Sequence, residues 1–414
     1  MDKLLNTKVL WIPSHVQKFK CQQCGDCCLQ KWRIEIDQKT YEKVKEKYVE
    51  RGKEQELSSM MQHEENGRIS MNFIKGRCSA LTKETMCTFQ KELGHEYLSN
   101  TCKVYPRHIA VSSRGMEFAL TFSCNAAAAT LDDREKIHIL EYKNGGAEFQ
   151  YMKPNRAMYY LPQRAVLNEF KRNYYEIEQG FITIMQDRHY TVSERLIMVG
   201  MTLGKLLDHQ GKTISMEEMK KLLGNYRETA PAASNHQDYL KALWQILNLR
   251  MNQEGSAVFK NTVSTFSTMI AVSEEGIDLQ AATMIAKLGP GQLMLPVEQF
   301  KQKRSRYIEP GLKDYEHIME NYFVNFILKK EFYFLNPALA YFKMALLYAV
   351  LNFYIIGYCT MTKKVVDAAT ILRSIVELDN GLNHSDAYFK KLSESLTKQP
   401  PAEIIKQAFL LAGI

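Results

Sequence analysis

Apolar and polar positions alternate in short runs over the first third of the chain, then recur with helical spacing over the remainder. Trp32, Ile34 and Ile36 alternate with Arg33, Glu35 and Asp37, the period-two pattern of a half-buried strand. Asp37 is placed to cap a helix reaching about residue 51, whose Tyr41, Val44 and Tyr48 fall on one face. Residues 62–67 are polar and read as a loop, and a strand-like pattern resumes at Ile69. Cys78 and Cys87 flank a stretch that suits a tight hairpin or knuckle. A short helix is expected over about 90–98, and strands near 108–112 and 117–122. A further helix opens in the alanines at 126–129, immediately after Cys124.

Beyond about residue 155 turn signals thin out and the 3.6-residue period dominates. Thr191 with Glu194, and Ser215 with Glu218, form capping boxes ahead of apolar-periodic runs. A polar connector with Pro231 covers 227–237, Gly289-Pro290-Gly291 marks a turn, and apolar helices are expected over 315–331 and 337–359. The aromatic stripe from Tyr322 to Phe334 is most simply helix core. The fold class is therefore α+β: a small cysteine-rich metal-binding module over 1–150, then a mainly α-helical domain over 151–414 that presents substrate or shields the centre.

Composition narrows the classes. Apolar residues make up 45% of the chain, enough for a substantial core. The net charge of +8 is spread along the chain, without the basic stripe of a nucleic-acid binder. The start of the chain lacks the apolar run of a secretory signal, and the most apolar stretch, 344–358, contains Asn352 and is short for a membrane span. These features point to a cytoplasmic protein with neither a nucleic-acid nor a membrane partner.

Eight of the nine cysteines lie before residue 125: Cys21, Cys24, Cys27, Cys28, Cys78, Cys87, Cys102 and Cys124. Only Cys359 stands apart, and it suits the role of a small buried hydrophobe. A concentration of cysteines in a reducing compartment points to metal or redox chemistry, because disulfides are rare there. The spacing C-x2-C-x2-C-C lets neighbouring thiolates converge, with Gly25 permitting the turn. Four soft thiolates satisfy a [4Fe–4S] cluster or tetrahedral zinc, and spacing alone accepts both. The adjacent Cys27 and Cys28 diverge, so they serve two centres, or one is structural, or one is a spare nucleophile. Eight thiols fill two four-cysteine sites, or one cluster with the others left over. Cys124 sits just before a helix start, where backbone N–H groups favour a thiolate. His95 and His108 lie near cysteines as further candidate ligands or as supporting residues.

The string Phe19-x-Cys21-x2-Cys24-x2-Cys27-Cys28-x3-Trp32-x-Ile34-x-Ile36-Asp37-x2-Thr40-Tyr41 resembles the flagellin lysine-N-methylases, within the wider CxxCxxCC cysteine-cluster family. Cys78-x2-Leu81-x5-Cys87-x4-Glu92-Leu93-Gly94 with Cys102-x2-Tyr105-Pro106-Arg107 is similar to the family's second block, and Ser123-Cys124 to its third. Glu320-Asn321-Tyr322-x2-Asn325-Phe326 is similar to a segment of its helical part. The chain departs from the family at Ser79 and Asn125, where proline is usual. The resemblance implies methylation of flagellin lysines, S-adenosylmethionine as methyl donor and an iron–sulfur cluster as cofactor. No glycine-rich loop opens a Rossmann-type site, so the donor would bind elsewhere, beside an open coordination position on the cluster.

For such a reaction Arg107 is a candidate to contact a donor or substrate carboxylate, or to offset the charge of a thiolate cluster. A structural ion pair is the alternative. Tyr105 is a candidate general base or donor to sulfur, and otherwise a packed aromatic. Methylation needs a neutral amine, for which Glu117 and Asp37 are candidate bases, Asp37 being the better helix cap. A different class of function, a zinc- or iron–sulfur-binding adaptor or electron carrier without methyl transfer, fits the same cysteines.

Overall fold

The structure, a computed structural model, describes residues 9–29, 33–112, 114–143, 169–208, 215–225, 239, 242–243, 272–273, 276–277, 297–383 and 386–413. The connector at 227–237, the turn at 289–291 and Trp32 lie outside these residues. Two compact units divide the chain: Met1–Thr130 with His138–Leu161, and Leu131–Ile137 with Pro162–Ile414.

The first unit begins with strand β1 (Val9–Pro13) and a short helix, Ser14–Lys18. After the cysteine loop come β2 (Glu35–Ile36), helix α1 (Gln38–Glu50), β3 (Met61–His63) and β4 (Ile69–Met71). Asp37 caps α1 as its sequence position demands: its carboxylate accepts from the Thr40 N–H at 3.1 Å and from the Thr40 hydroxyl at 2.7 Å. Val44 and Tyr48 are buried on the inner face of α1. The strands β2, β4 and β3 form a three-stranded antiparallel sheet in that order.

The helix expected over 90–98 is broken in two. Thr88–Glu92 is α-helical, Gly94 takes φ of +106°, and His95–Tyr97 continues as a single 3-10 turn. A residue with a side chain rarely adopts that φ, so the glycine sets the break. Strands β5 (Arg107–Ser112) and β6 (Gly115–Leu120) form a hairpin, and β7 (Ile139–Lys143) closes a four-stranded sheet of order β5-β6-β1-β7. In it β1 runs parallel to β6 and antiparallel to β7.

The second unit is helical, with one two-stranded ribbon among its described residues. Its main elements are α2 (Tyr174–Met185), α3 (Val192–Asp208), α4 (Leu312–Leu328), α5 (Pro337–Thr362), α6 (Ala368–Leu378) and α7 (Pro401–Ala412). The capping box at Thr191 forms in both directions, the Thr191 N–H reaching Glu194 at 2.8 Å and the Glu194 N–H reaching the Thr191 hydroxyl at 3.3 Å. Ser215 likewise accepts from the Glu218 N–H at 3.1 Å. Helix α5 is long and apolar enough to cross a membrane, yet 89% of its most apolar stretch is buried in the protein. It packs against α6 and α7, with Asn352 bonding back to the Tyr348 carbonyl.

Residues 131–137 go with this unit because its helices bind their backbone. The Asn321 amide donates to the carbonyls of Leu131 and Asp133, both at 2.9 Å, and Gln186 donates to that of Ile137 at 2.8 Å. Gly200 on α3 allows α5 to approach: a methyl group there would lie 2.2 Å from the ring of Tyr341, itself fully buried. Gly200→Ala is therefore expected to destabilise the protein by about 1–3 kcal/mol through overpacking. A thermal melt checks it, with a substitution at exposed Val365 as control.

Candidate cysteine-lined site

The cysteine loop turns at Gly25, whose φ is +78°. A Cβ there would lie 2.4 Å from the Thr85 carbonyl oxygen, so the loop presses directly on the knuckle between Cys78 and Cys87. That knuckle is closed by a bridge between Leu81 and Cys87 and by the Met86 carbonyl accepting from the Thr82 N–H at 2.8 Å. The next residues, Asp26–Leu29, form a 3-10 turn that buries Cys28.

Five thiols collect in the core of the first unit. Cys28 and Cys78 are buried members of its apolar cluster, and Cys27, Cys87 and Cys102 pack against it. Cys28, Cys78, Cys87 and Cys102 line one cavity of about 30 Å³, walled by Ile34, Ile36, Met61, Met71 and other apolar residues. Cys102 is held there by its helix start, where Ser99 caps the Cys102 N–H at 3.2 Å. The Sγ atoms of Cys27 and Cys28 lie 4.0 Å apart.

Burial governs the acidity of these groups. It pushes the thiols of Cys87 and Cys102 up, Cys102 to about 12. Hydrogen bonding with Cys28 lowers Cys27 and Cys78, and the contact with Cys27 is the first cause of the rise at Cys28. Cys21 and Cys24 are exposed and Cys124 is half-buried. The backbone of Ala127 and Ala126 favours the Cys124 thiolate, although the sulfur makes no capping hydrogen bond to the helix it precedes. Burial outweighs this, and the net shift is upward.

All nine cysteines are free thiols. No group of three or more His, Cys, Asp or Glu among the described residues stands at the spacing of ligands around one ion. The donor set nevertheless fits soft-metal chemistry: the cavity is lined by four thiols, without a carboxylate or imidazole among its walls. Such thiols must lose their protons to bind, so loading releases protons and tightens with rising pH.

The other candidate residues are dispersed. Tyr105 places its hydroxyl 3.1 Å from that of Ser123, one residue before Cys124. The Arg107 guanidinium lies 4.8 Å from the centre of the Phe19 ring, and its charge helps hold the pKa of His95 down, after burial and the charge of Lys103. Glu117 is buried on β6, where Arg114 donates to it at 2.6 Å. Asp37 is engaged as the helix cap. His108 lies on β5, paired across the hairpin with Ala119. The charged groups that sequence reading passed over lie in the helical unit: Glu320 has no exposed surface and accepts from Arg195 at 2.7 Å and from Arg188 at 2.9 Å. The segment 320–326 carried the only sequence signal of them, by resemblance.

The family model described as the FliB lysine N-methylase C-terminal domain matches residues 178–406. The flagellar biosynthetic protein FliU of Salmonella muenchen is 25% identical over 139 residues, covering 32% of this chain and 82% of that protein. The lysine-N-methylases of Salmonella typhimurium and Salmonella choleraesuis are each 25% identical over 136 residues, covering 31% of this chain. The match spans only 34% of each of those two proteins. No solved structure matches the chain.

Gly25→Ala is expected to strain the loop against Thr85 and destabilise the first unit by about 1–3 kcal/mol. The check is alkylation followed by mass spectrometry: buried Cys28 and Cys78 are expected to react faster than in the parent, with the far-UV helical signal retained.

Proposed function

We propose that this chain, which belongs to the FliB lysine N-methylase family, methylates lysine side chains of flagellin in the cytoplasm. The methyl group comes from S-adenosylmethionine, and the N-terminal cysteines hold an iron–sulfur cluster. The observation that carries the reading is the family match over residues 178–406 in a chain whose N-terminal unit collects free thiols around one apolar cavity. The named relatives supply the flagellar context, one as a flagellar biosynthetic protein and two as lysine-N-methylases.

In the reaction the bond between methyl carbon and sulfonium sulfur breaks and a bond from that carbon to the lysine ε-nitrogen forms. Adenosylhomocysteine leaves, and the amine gives up a proton to reach its neutral product. Cys28, Cys78, Cys87 and Cys102, or the exposed Cys21 and Cys24 with their neighbours, would hold the cluster. Bound there, it supplies an iron position beside which the donor can be fixed.

The chain's own groups do the rest. Arg107 offers a fixed positive charge for the donor carboxylate. The Tyr105 hydroxyl, already hydrogen-bonded to Ser123, takes the amine proton or passes it on. Glu117 is held in its ion pair with Arg114 and serves the shape of the sheet on which Arg107 stands. The helical unit presents the lysine.

The test is anaerobic purification with iron and sulfide analysis, followed by incubation with flagellin and adenosylmethionine. Matching iron and sulfide with methyl additions on flagellin lysines is expected, and Arg107→Ala should raise the adenosylmethionine requirement about tenfold, the loss of roughly 1.4 kcal/mol of binding. A cluster-loaded protein that leaves flagellin and donor unchanged overturns the reading. A colourless, zinc-loaded protein without transfer would make it an adaptor.

A further inference from the structure

We propose that the eight N-terminal cysteines build two separate four-thiolate centres, an enclosed one from Cys28, Cys78, Cys87 and Cys102 and one nearer the surface from Cys21, Cys24, Cys27 and Cys124. The inference deepens the reading above and rests on it for the presence of a thiolate-bound metal.

The enclosed set is defined by the cavity its four thiols line. Its volume of about 30 Å³ exceeds the roughly 10–15 Å³ that one water-sized sphere needs. The other walls are apolar or carry a hydroxyl at Thr40, Tyr97 and Ser99. A cation placed there would find its countercharge in thiolates alone, the donor set of a closed structural site.

The second set comes from the loop and from Cys124. Asn125, next to Cys124, donates its side-chain amide to Asp26 at 2.8 Å, and Asp26 lies between Cys24 and Cys27. That bond joins residues 99 positions apart and brings Cys124 to the loop. Cys21 and Cys24 are exposed and Cys28 and Cys78 buried, with Cys27, Cys87, Cys102 and Cys124 between these extremes.

Cys27 lies between the sets: its Sγ stands 4.0 Å from that of Cys28, and it packs against the apolar cluster that holds Cys28 and Cys78. Two facts place it with the outer set. It is absent from the walls of the cavity that Cys28 lines, and it is the third cysteine of an evenly spaced C-x2-C-x2-C turn. The adjacent pair then serves two centres. Loading draws each set inward from its protonated arrangement.

The experiment is metal and sulfide analysis of the full chain, purified anaerobically, beside four serine variants. The parent is expected to carry two centres. Cys28→Ser and Cys102→Ser should each remove one and the same centre, and Cys27→Ser and Cys124→Ser the other. If Cys27→Ser and Cys28→Ser strip the same metal, or the parent holds a single centre, the partition is wrong.

Should a variant fail to fold, stepwise chelation of the parent with alkylation mass spectrometry gives the same information. The outer four thiols are expected to become reactive as one block before the inner four. Release of all eight together, or of Cys27 with Cys78 and Cys102, overturns the assignment. Two blocks in a protein that transfers no methyl group support the partition and defeat only the methylase reading. A chain that binds no metal defeats both.

Discussion

A thiol buried among hydrocarbon keeps its proton, and the first unit is built on that constraint. Its core sets Cys28 and Cys78 beside Ile34, Ile36, Val44 and Tyr48, with Cys87 and Cys102 at the margin. As neutral groups these sulfurs pack like small hydrophobes. As thiolates they would be buried anions without a counterion, which low-dielectric surroundings oppose. The upward shifts at Cys87, Cys102 and Cys124 all have burial as their first cause. A bound metal would supply the missing positive charge, and ligation would then add to the stability of this unit. The short strands around it are too small to hold the loops by backbone pairing alone.

The helical unit solves a different problem with fully paired buried charges. Glu320 is enclosed between Arg195 and Arg188, and buried Lys330 meets Glu178 at 2.5 Å. Tyr322, one helical step from Glu320, donates to buried Asp379 at 2.9 Å. Removing one member of such a pair strands the other, at about 3–5 kcal/mol. The segment that resembles the family in this region is thus a hydrogen-bonding hub. Glu320 fixes α2 and α3 to α4, Asn321 fixes residues 131–133, and Tyr322 fixes the end of α6. A scaffold held by directional bonds fixes its helices in one geometry, which a purely apolar bundle does less strictly.

Local chemistry made much of this legible from sequence. The Asp37 cap and both capping boxes form as their spacing dictates, because a cap depends on residues three apart and on nothing distant. The periodic helices α4 and α5 appear within three residues of their expected ends, since a buried face imposes its period over many turns. The helix over 90–98 failed where one glycine outweighed the surrounding propensity. The pairing of β1 with β6 and β7, the Arg188–Glu320–Arg195 cluster and the neighbours of each thiol were out of reach. The strand pairings and the charge cluster join residues more than a hundred positions apart, and Cys28 meets Cys78 across fifty, so no local pattern records such a contact. Sequence spacing raised a cysteine cluster, and the gathering of Cys78, Cys87 and Cys102 with Cys28 around one cavity required the fold.

The two departures from the family's proline pattern show how the same restraint is met by other means. Proline stiffens a turn by fixing φ and removes an N–H. At Ser79, next to Cys78, the chain uses the N–H that a proline would lack, donating it to the Asn72 carbonyl at 2.9 Å. The Ser79 hydroxyl donates to the Met60 carbonyl at 2.8 Å, nineteen residues back at the end of the helix Glu54–Met60. At Asn125, next to Cys124, the side chain reaches Asp26 in the cysteine loop. Each substitution exchanges a covalent restraint on the backbone for a bond between segments, and each sits one residue from a thiol. A proline would rigidify its own turn only. The polar residues tie that turn to another, so in this chain the position of Cys124 depends on the loop that carries Cys24 and Cys27.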